Sequence, residues 1–283
     1  MSANPSTTAN AILGRGVGAR RSRGWSPRTE ATLRVVAPIS FGLIVLVIWQ
    51  LLVTVGGVSD YLLPSPVSIV TELVDFWPSV VSATALTGTN SLLGLLVGSL
   101  VGIIAAALAA RWSIIDRMSA PIVAALAVVP IVALAPVLNS MFGADSQFGR
   151  QAIAAIASFV PIFINTLRGF RQTTPVHRDL MKAYAANSGQ MLKSLTLPTA
   201  RPFILTGIRI ASSLAVISAL VAEYFGGPRG GLGSLIATSA ASSAYARAWA
   251  YVVASIALGL LFYVATLALE RLVLRRVPTG GAR

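Results

Sequence analysis

The chain of 283 residues is 55% hydrophobic and 11% charged, with 22 Lys+Arg against 9 Asp+Glu and a formal net charge of +13; its mean hydropathy is +0.77. Soluble domains carry about 25% charged residues, so this surface cannot clothe a water-soluble globule and lipid is the solvent for most of the chain. Cysteine is absent and His177 is the single histidine, which excludes disulfides, thiolate metal sites and cysteine nucleophiles, and leaves a histidine-built zinc site short of ligands.

Residues 1–34 are rich in Ser, Gly, Ala and Arg with no acid before Glu30. They are expected to form a disordered basic segment, although an Arg-rich, acid-poor leader also has the composition of an organellar transit peptide. A helix crossing about 30 Å of hydrocarbon needs roughly 20 apolar residues. Six stretches qualify, at 35–55, 87–110, 119–141, 152–167, 203–222 and 249–269. The first starts late and is too long for the apolar core of a cleaved signal peptide, so it reads as an anchor. Together they predict an all-α integral membrane protein with a transmembrane domain over 35–272 and a basic tail over 273–283.

The second stretch carries Gly94, Gly98 and Gly102 on one helix face, where a neighbouring helix can approach closely. Pro130 and Pro136 interrupt the third and Pro161 the fourth, and such irregular helices are tolerated where protein or a water-filled cavity serves the freed backbone. Asn139 and Asn165, near the ends of these two stretches, are either interhelical glue or solute contacts. Arg209 is the ionisable side chain inside the fifth stretch, expected to snorkel toward an interface. Glu223 closes that stretch ahead of Gly226, Gly227, Gly230, Gly231 and Gly233. It is either a residue beside a permeation path or a structural anion receiving hydrogen bonds from the glycine-rich turn. Asp60, Glu72, Asp75 and Asp145 are expected to be solvated surface groups.

Between the fourth and fifth stretches, residues 173–202 place Leu180, Tyr184, Met191, Leu192 and Leu195 near helical spacing, with Pro198 ending the run. This predicts a short amphipathic pair of helices, suited equally to a membrane surface or a protein partner. Nineteen of the 22 basic residues fall in the leader, the second-to-third and fourth-to-fifth connections, the start of the fifth stretch and the tail; Arg150, Arg229 and Arg247 fall on the other side. The positive-inside bias puts both termini and residues 173–202 in the cytoplasm. Dispersed among short loops, these charges form no contiguous nucleic-acid face.

The segment is similar to the cytoplasmic signature of the permease subunits of bacterial ATP-driven importers that depend on a binding protein, in the nitrate, sulfonate, taurine and thiamine-precursor branch. Leu197 and Pro198 stand at its Leu-Pro, Ala185 at its Gly, Leu195 at an apolar position and Asp179 at its Glu, while Leu180 and Met181 replace two alanines. Further matches are Leu63-Pro64-Ser65-Pro66, Phe142-Gly143, Pro161 to Thr166, Gly207 with Arg209 and Ile210, Val221-Ala222-Glu223 and Gly231-Leu232-Gly233. The run from Ala222 to Gly227 resembles members that carry pyrimidine-type or flavin-type heterocycles.

The resemblance implies a type I importer permease fold of six transmembrane helices in the bacterial inner membrane. A coupling helix comprising Asp179, Leu180, Tyr184, Ala185, Met191, Leu192, Leu195, Leu197 and Pro198 would dock on an ATPase, with Asn139, Asn165 and Glu223 along the translocation path. It further implies a second, plausibly identical permease, two ATPase subunits, an extracellular substrate-binding protein, and ATP with Mg on the ATPase. No Gly-x-x-x-x-Gly-Lys-[Ser/Thr] loop occurs and neither Lys182 nor Lys193 follows a glycine, so this chain is expected to bind no cofactor and to be no enzyme. An ion-coupled secondary transporter is the alternative; it would show intramembrane ionisable groups. A hydrolase is disfavoured because His177 lies in a loop, away from membrane depth.

Overall fold

The computed structural model describes residues 27–59, 61–143, 146–226 and 230–275, with side chains from residue 36 onward. Asp60, Asp145, Gly227, Arg229 and the tail after Arg275 lie outside the described residues, as does the leader before Pro27. The described chain is helical, and it divides into two units between Leu51 and Leu52. In the first unit α1 (Pro27–Val55) runs through Pro38, and its stretch Val36–Val55 is apolar around the whole circumference, as a helix surrounded by lipid requires.

In the second unit the Leu-Pro-Ser-Pro run is a helix start. Ser65 caps α2 (Pro66–Asp75) by accepting the Ser68 amide at 3.1 Å, and Pro66 sits in the first turn, where its missing N–H costs nothing. Then follow α3 (Trp77–Arg111), α4 (Ser113–Val128), α5 (Ile131–Phe142), α6 (Phe148–Phe170), α7 (Pro175–Ala183), α8 (Ser188–Met191), α9 (Leu197–Phe225), α10 (Leu232–Ala241) and α11 (Tyr245–Arg275). Among the described residues five helices are long and apolar enough to cross a membrane, or six if the bent α4 and α5 count as one span.

Helix α6 lies between α3 and α9, and α11 packs on the far side of α9 with α10 against both. The glycine face of α3 meets α6 at near-backbone contact. A Cβ on Gly98 would stand 2.5 Å from the Ala155 carbonyl oxygen, and one on Gly94 2.4 Å from Ala154 Cβ. Around this seam the core is small and aliphatic, with Ala211, Ala215 and Ile162 packed on Leu95 and all but Leu95 inaccessible to solvent. Lipid supplies no hydrophobic drive between helices, so such closeness is what holds them.

Two expectations are corrected. The third stretch is two helices meeting at 92°. Pro130 makes the break, whereas α5 continues through Pro136. Pro198 does not end the coupling segment. Residues Leu192–Thr196 form a π turn in which Leu197 N–H reaches the Leu192 carbonyl, and the chain runs into α9 with Pro198 in its first turn. The wider turn absorbs the missing donor.

Candidate functional site

The two ends of the helical unit carry different chemistry. At one end, α3, α6, α9 and α10 converge on Glu223. The carboxylate is inaccessible to solvent and accepts the Thr87 hydroxyl at 2.7 Å, the Asn90 amide at 3.3 Å and the Gly233 backbone N–H at 3.2 Å. Thr87 Oγ1 in turn accepts the Leu232 N–H at 2.9 Å, which ties the start of α10 to α3. Asn90 Nδ2 also donates to Gln147 Oε1 at 2.9 Å, Gln151 Nε2 donates to Asn90 Oδ1 at 3.1 Å, and the Arg150 guanidinium donates to Gln147 Oε1 at 2.8 Å. Arg150 is fully buried. A buried charge of this kind is sustained only by hydrogen-bonded company.

The glycine-rich turn is what lets the chain close over the carboxylate. A Cβ on Gly231 would stand 2.3 Å from Glu223 Cδ, so no other residue fits there. Asn139 is buried beside it: a Cβ on Gly226 would stand 2.3 Å from Asn139 Nδ2, which has no hydrogen-bond partner among the described residues. Asn165 lies apart from this cluster. It is half-buried, with its amide donating to the Pro161 carbonyl of its own helix at 2.8 Å. Of the three residues expected along one path, the structure therefore brings Asn139 and Glu223 together and leaves Asn165 near the opposite end of α6.

Thr87, Asn90, Gln147, Arg150 and Gln151 escaped the reading of the sequence, yet their spacing signals them. Thr87, Asn90 and Ser91 extend the stripe of Gly94, Gly98 and Gly102 by the same three- and four-residue steps, and Gln147, Arg150 and Gln151 repeat that step on α6. Two ion pairs correct further expectations. Glu72 pairs with Arg247 at 2.9 Å, with that guanidinium 3.5 Å from the Phe76 ring centre, and is no free surface group. Arg209 does not snorkel alone: it meets Glu270 of α11 at 3.0 Å, and Thr206 and Ser212 bind Glu270 and Thr266 alongside.

At the other end α7 is an amphipathic helix, whereas α8 is a single turn of four residues that leads through the π turn into α9. Thr174 caps α7, and its hydroxyl lies 2.8 Å from His177 Nδ1. The helix closes in a left-handed turn, with Ala186 N–H on the Met181 carbonyl and Ala185 N–H on that of Lys182. Ala185 has φ 54°, the conformation glycine prefers. Asn187 and Gln190 then cap α8 reciprocally at 2.8 and 2.9 Å.

Side chains of the segment separate by exposure. Leu180 and Tyr184 are exposed at 53% and 78%, in line with Val176, which the sequence reading did not single out; Leu192 is also exposed. Asp179 is exposed and paired with Lys182 at 3.2 Å. Met191, Leu195, Leu197 and Pro198 are half-buried at the root of the segment. There Leu197 joins Phe163, Phe170 and Ala200 in a core shared with α3, α4 and α6. The apolar row of α7 is thus exposed, while the residues that follow it into α9 are packed in the transmembrane core.

Residues 98–277 match the family described as binding-protein-dependent transport system inner membrane component. The chain belongs to that family. It is 32% identical over 203 residues to the formylaminopyrimidine transport permease protein ThiX of Halalkalibacterium halodurans, covering 71% of this chain and 80% of that one. It is 32% identical over 226 residues to the riboflavin transport system permease protein RibX of Chloroflexus aurantiacus, covering 75% and 80%, and 28% identical over 189 residues to the putative aliphatic sulfonates transport permease protein SsuC of Bacillus subtilis, covering 66% and 68%. A crystal structure of an amino acid ABC transporter with histidines superposes with a TM-score of 0.58 at 16% identity, over 72% of this chain and 96% of that one. The fold is thus that of a type I importer permease, and the chain is the multi-pass membrane permease subunit of an ATP-driven importer.

Proposed function

We propose that this permease forms the path for a small organic solute delivered by an extracellular binding protein, and that a separate ATPase drives it by gripping α7 and α8 in the cytoplasm. The observation that carries the reading is the exposed row Val176, Leu180, Tyr184 on α7, in a connection whose two ends, Phe170 of α6 and Leu197 of α9, are packed in the transmembrane core. An isolated apolar row in water calls for a partner, and a rooted lever converts partner movement into helix movement. Hydrolysis shifts the helices only if the ATPase favours one of their arrangements over the other.

The distribution of basic residues supports an orientation with both termini and the lever in the cytoplasm of a bacterial inner membrane. The Glu223 cluster then sits at the outer end. There Glu223 and Asn139 brace the rim of the path where the binding protein delivers, and Asn165 lies toward the cytoplasmic end. The five or six spans among the described residues support a path shared with a second copy of the permease, and two ATPase subunits complete the transporter, with ATP and Mg on the ATPase. The relatives carry solutes of several kinds by name, and the resemblance of the run Ala222 to Gly227 to members that carry pyrimidine-type or flavin-type heterocycles supports a heterocycle over a sulfonate.

Co-purification tests the grip. Leu180→Asp and Tyr184→Asp should each abolish capture of the partner ATPase while leaving the permease folded, as judged by its elution and thermal unfolding. Capture undiminished in both would refute the docking role.

A further inference from the structure

Where the end of α3 meets the connection from α6 to α9, the helices enclose a cavity of about 490 Å³. Its lining includes Ala107 and Arg111 of α3, Phe170 of α6, Arg178 of α7, and Met191 and Leu192 of the turns that follow. Arg111 and Arg178 are the charged residues of that lining, which holds no acid. Among the described residues neither forms an ion pair with a carboxylate. Arg178 Nε donates to the hydroxyl of the buried Thr173 at 2.8 Å, which holds the side chain in place and leaves the far edge of the guanidinium for another acceptor. Two like charges around one space repel each other until an anion enters it.

The surroundings of the cavity indicate which anion. Ile104, Ala107, Leu108 and Arg111 succeed one another by three- and four-residue steps along one face of α3, and all four are exposed. A face that acyl chains clothe thus leads into the cavity and ends there at a guanidinium. The next residue, Trp112, is 48% exposed with the Arg111 guanidinium 6.0 Å from its ring centre, and tryptophan settles at the level of lipid headgroups. The row offered to the ATPase looks another way. Val176 and Leu180 each stand two residues from Arg178 on α7, about 160° around the helix from it, so a protein on that row leaves Arg178 on the opposite side.

We propose that this cavity holds the headgroup of one anionic phospholipid from the cytoplasmic leaflet, its phosphate between Arg111 and Arg178 and its acyl chains along the exposed face of α3. Basic pockets between membrane helices on the cytoplasmic side suit such headgroups. The inference goes beyond the transport reading and rests on it only for the side of the membrane. Through the phosphate, the lipid joins the end of a membrane span to the helix that carries the docking row.

The chain has no cysteine, so one introduced thiol reports on the cavity. Ser188 belongs to the lining and Ser194 does not, and both are exposed. The permease with its ATPase is placed in nanodiscs of phosphatidylcholine, alone or mixed with phosphatidylglycerol, and alkylation of this chain by N-ethylmaleimide is timed. Phosphatidylglycerol should slow labelling of Ser188→Cys several-fold and leave Ser194→Cys unchanged. Adding Arg111→Gln or Arg178→Gln should each raise the phosphatidylglycerol fraction needed for protection about fivefold, whereas Arg117→Gln, which removes an exposed arginine outside the lining, should not. Equal slowing at both thiols, or protection indifferent to Arg111 and Arg178, would overturn the site. Protection by inorganic phosphate in phosphatidylcholine alone would overturn the lipid in favour of a free anion. A Ser188→Cys thiol shielded by the ATPase in either lipid, with capture of the ATPase lost in Arg111→Gln, would overturn it in favour of a protein contact. A wild-type permease that captured no ATPase would instead contradict the docking reading, and labelling of the permease by itself in the same nanodiscs would still decide the lipid site.

Discussion

Glu223 shows how a single acid is held at the end of a membrane helix. Three donors from α3 and α10 converge on it, and removing the acceptor strands them in a dry site. Glu223→Ala should destabilise the purified permease by about 3 kcal/mol or more, Thr87→Val by about 1 to 3 kcal/mol, and Glu223→Gln should fall between wild type and Ala because one acceptor oxygen survives. Thermal unfolding in detergent gives the order, and equal stability of Ala and wild type would refute the brace. Ala185 makes the opposite case. It occupies a glycine conformation with a side chain, so Ala185→Gly should stabilise the end of α7 by about 1 kcal/mol, seen as slower amide exchange across Lys182 to Ala186. The sequence already placed Ala185 at a signature glycine, but its cost became visible only with φ. Similarly, Glu223 stood out as an acid beside glycines, one of which, Gly233, donates its backbone N–H to it, whereas Thr87 and Asn90 are distant in sequence and only the packing of α3 on α9 and α10 brings them near.

At the scale of elements, hydrophobic runs located the helices and missed their ends. The third stretch contains three prolines, Pro121, Pro130 and Pro136, and composition does not tell which turns the chain. The bend falls where Val129 leaves helical geometry with ψ 121° just ahead of Pro130. Pro198 misled for the converse reason, since a π turn leaves its missing donor unneeded. The glycine stripe was legible because close approach needs small residues at helical spacing, and the sequence lacked only the identity of the neighbour. Gly98→Ala should cost about 1 to 3 kcal/mol, since the added methyl meets the α6 backbone, while Gly259→Ala, with open space around it, should cost little. Comparable losses at both positions, measured by thermal unfolding, would contradict the α3–α6 seam.

Within the helical unit after Leu51, a braced cluster stands at one end and the exposed row of α7 at the other, with the bent α4 and α5 beside α6 and α9. The architecture was readable because lipid demands long apolar helices and because basic residues mark one side. Ion pairs were not, since Arg209 and Glu270 lie 61 positions apart and meet only through the packing of α9 on α11. Everything turns on whether the lever meets a motor. A unique thiol at Tyr184→Cys should cross-link to a cysteine placed in the docking groove of the partner ATPase, and the cross-link should stop ATP-driven uptake until reductant releases it. Modification of that thiol only by a membrane-impermeant reagent applied outside intact cells, with uptake unaffected by any cross-linker within, would contradict the account.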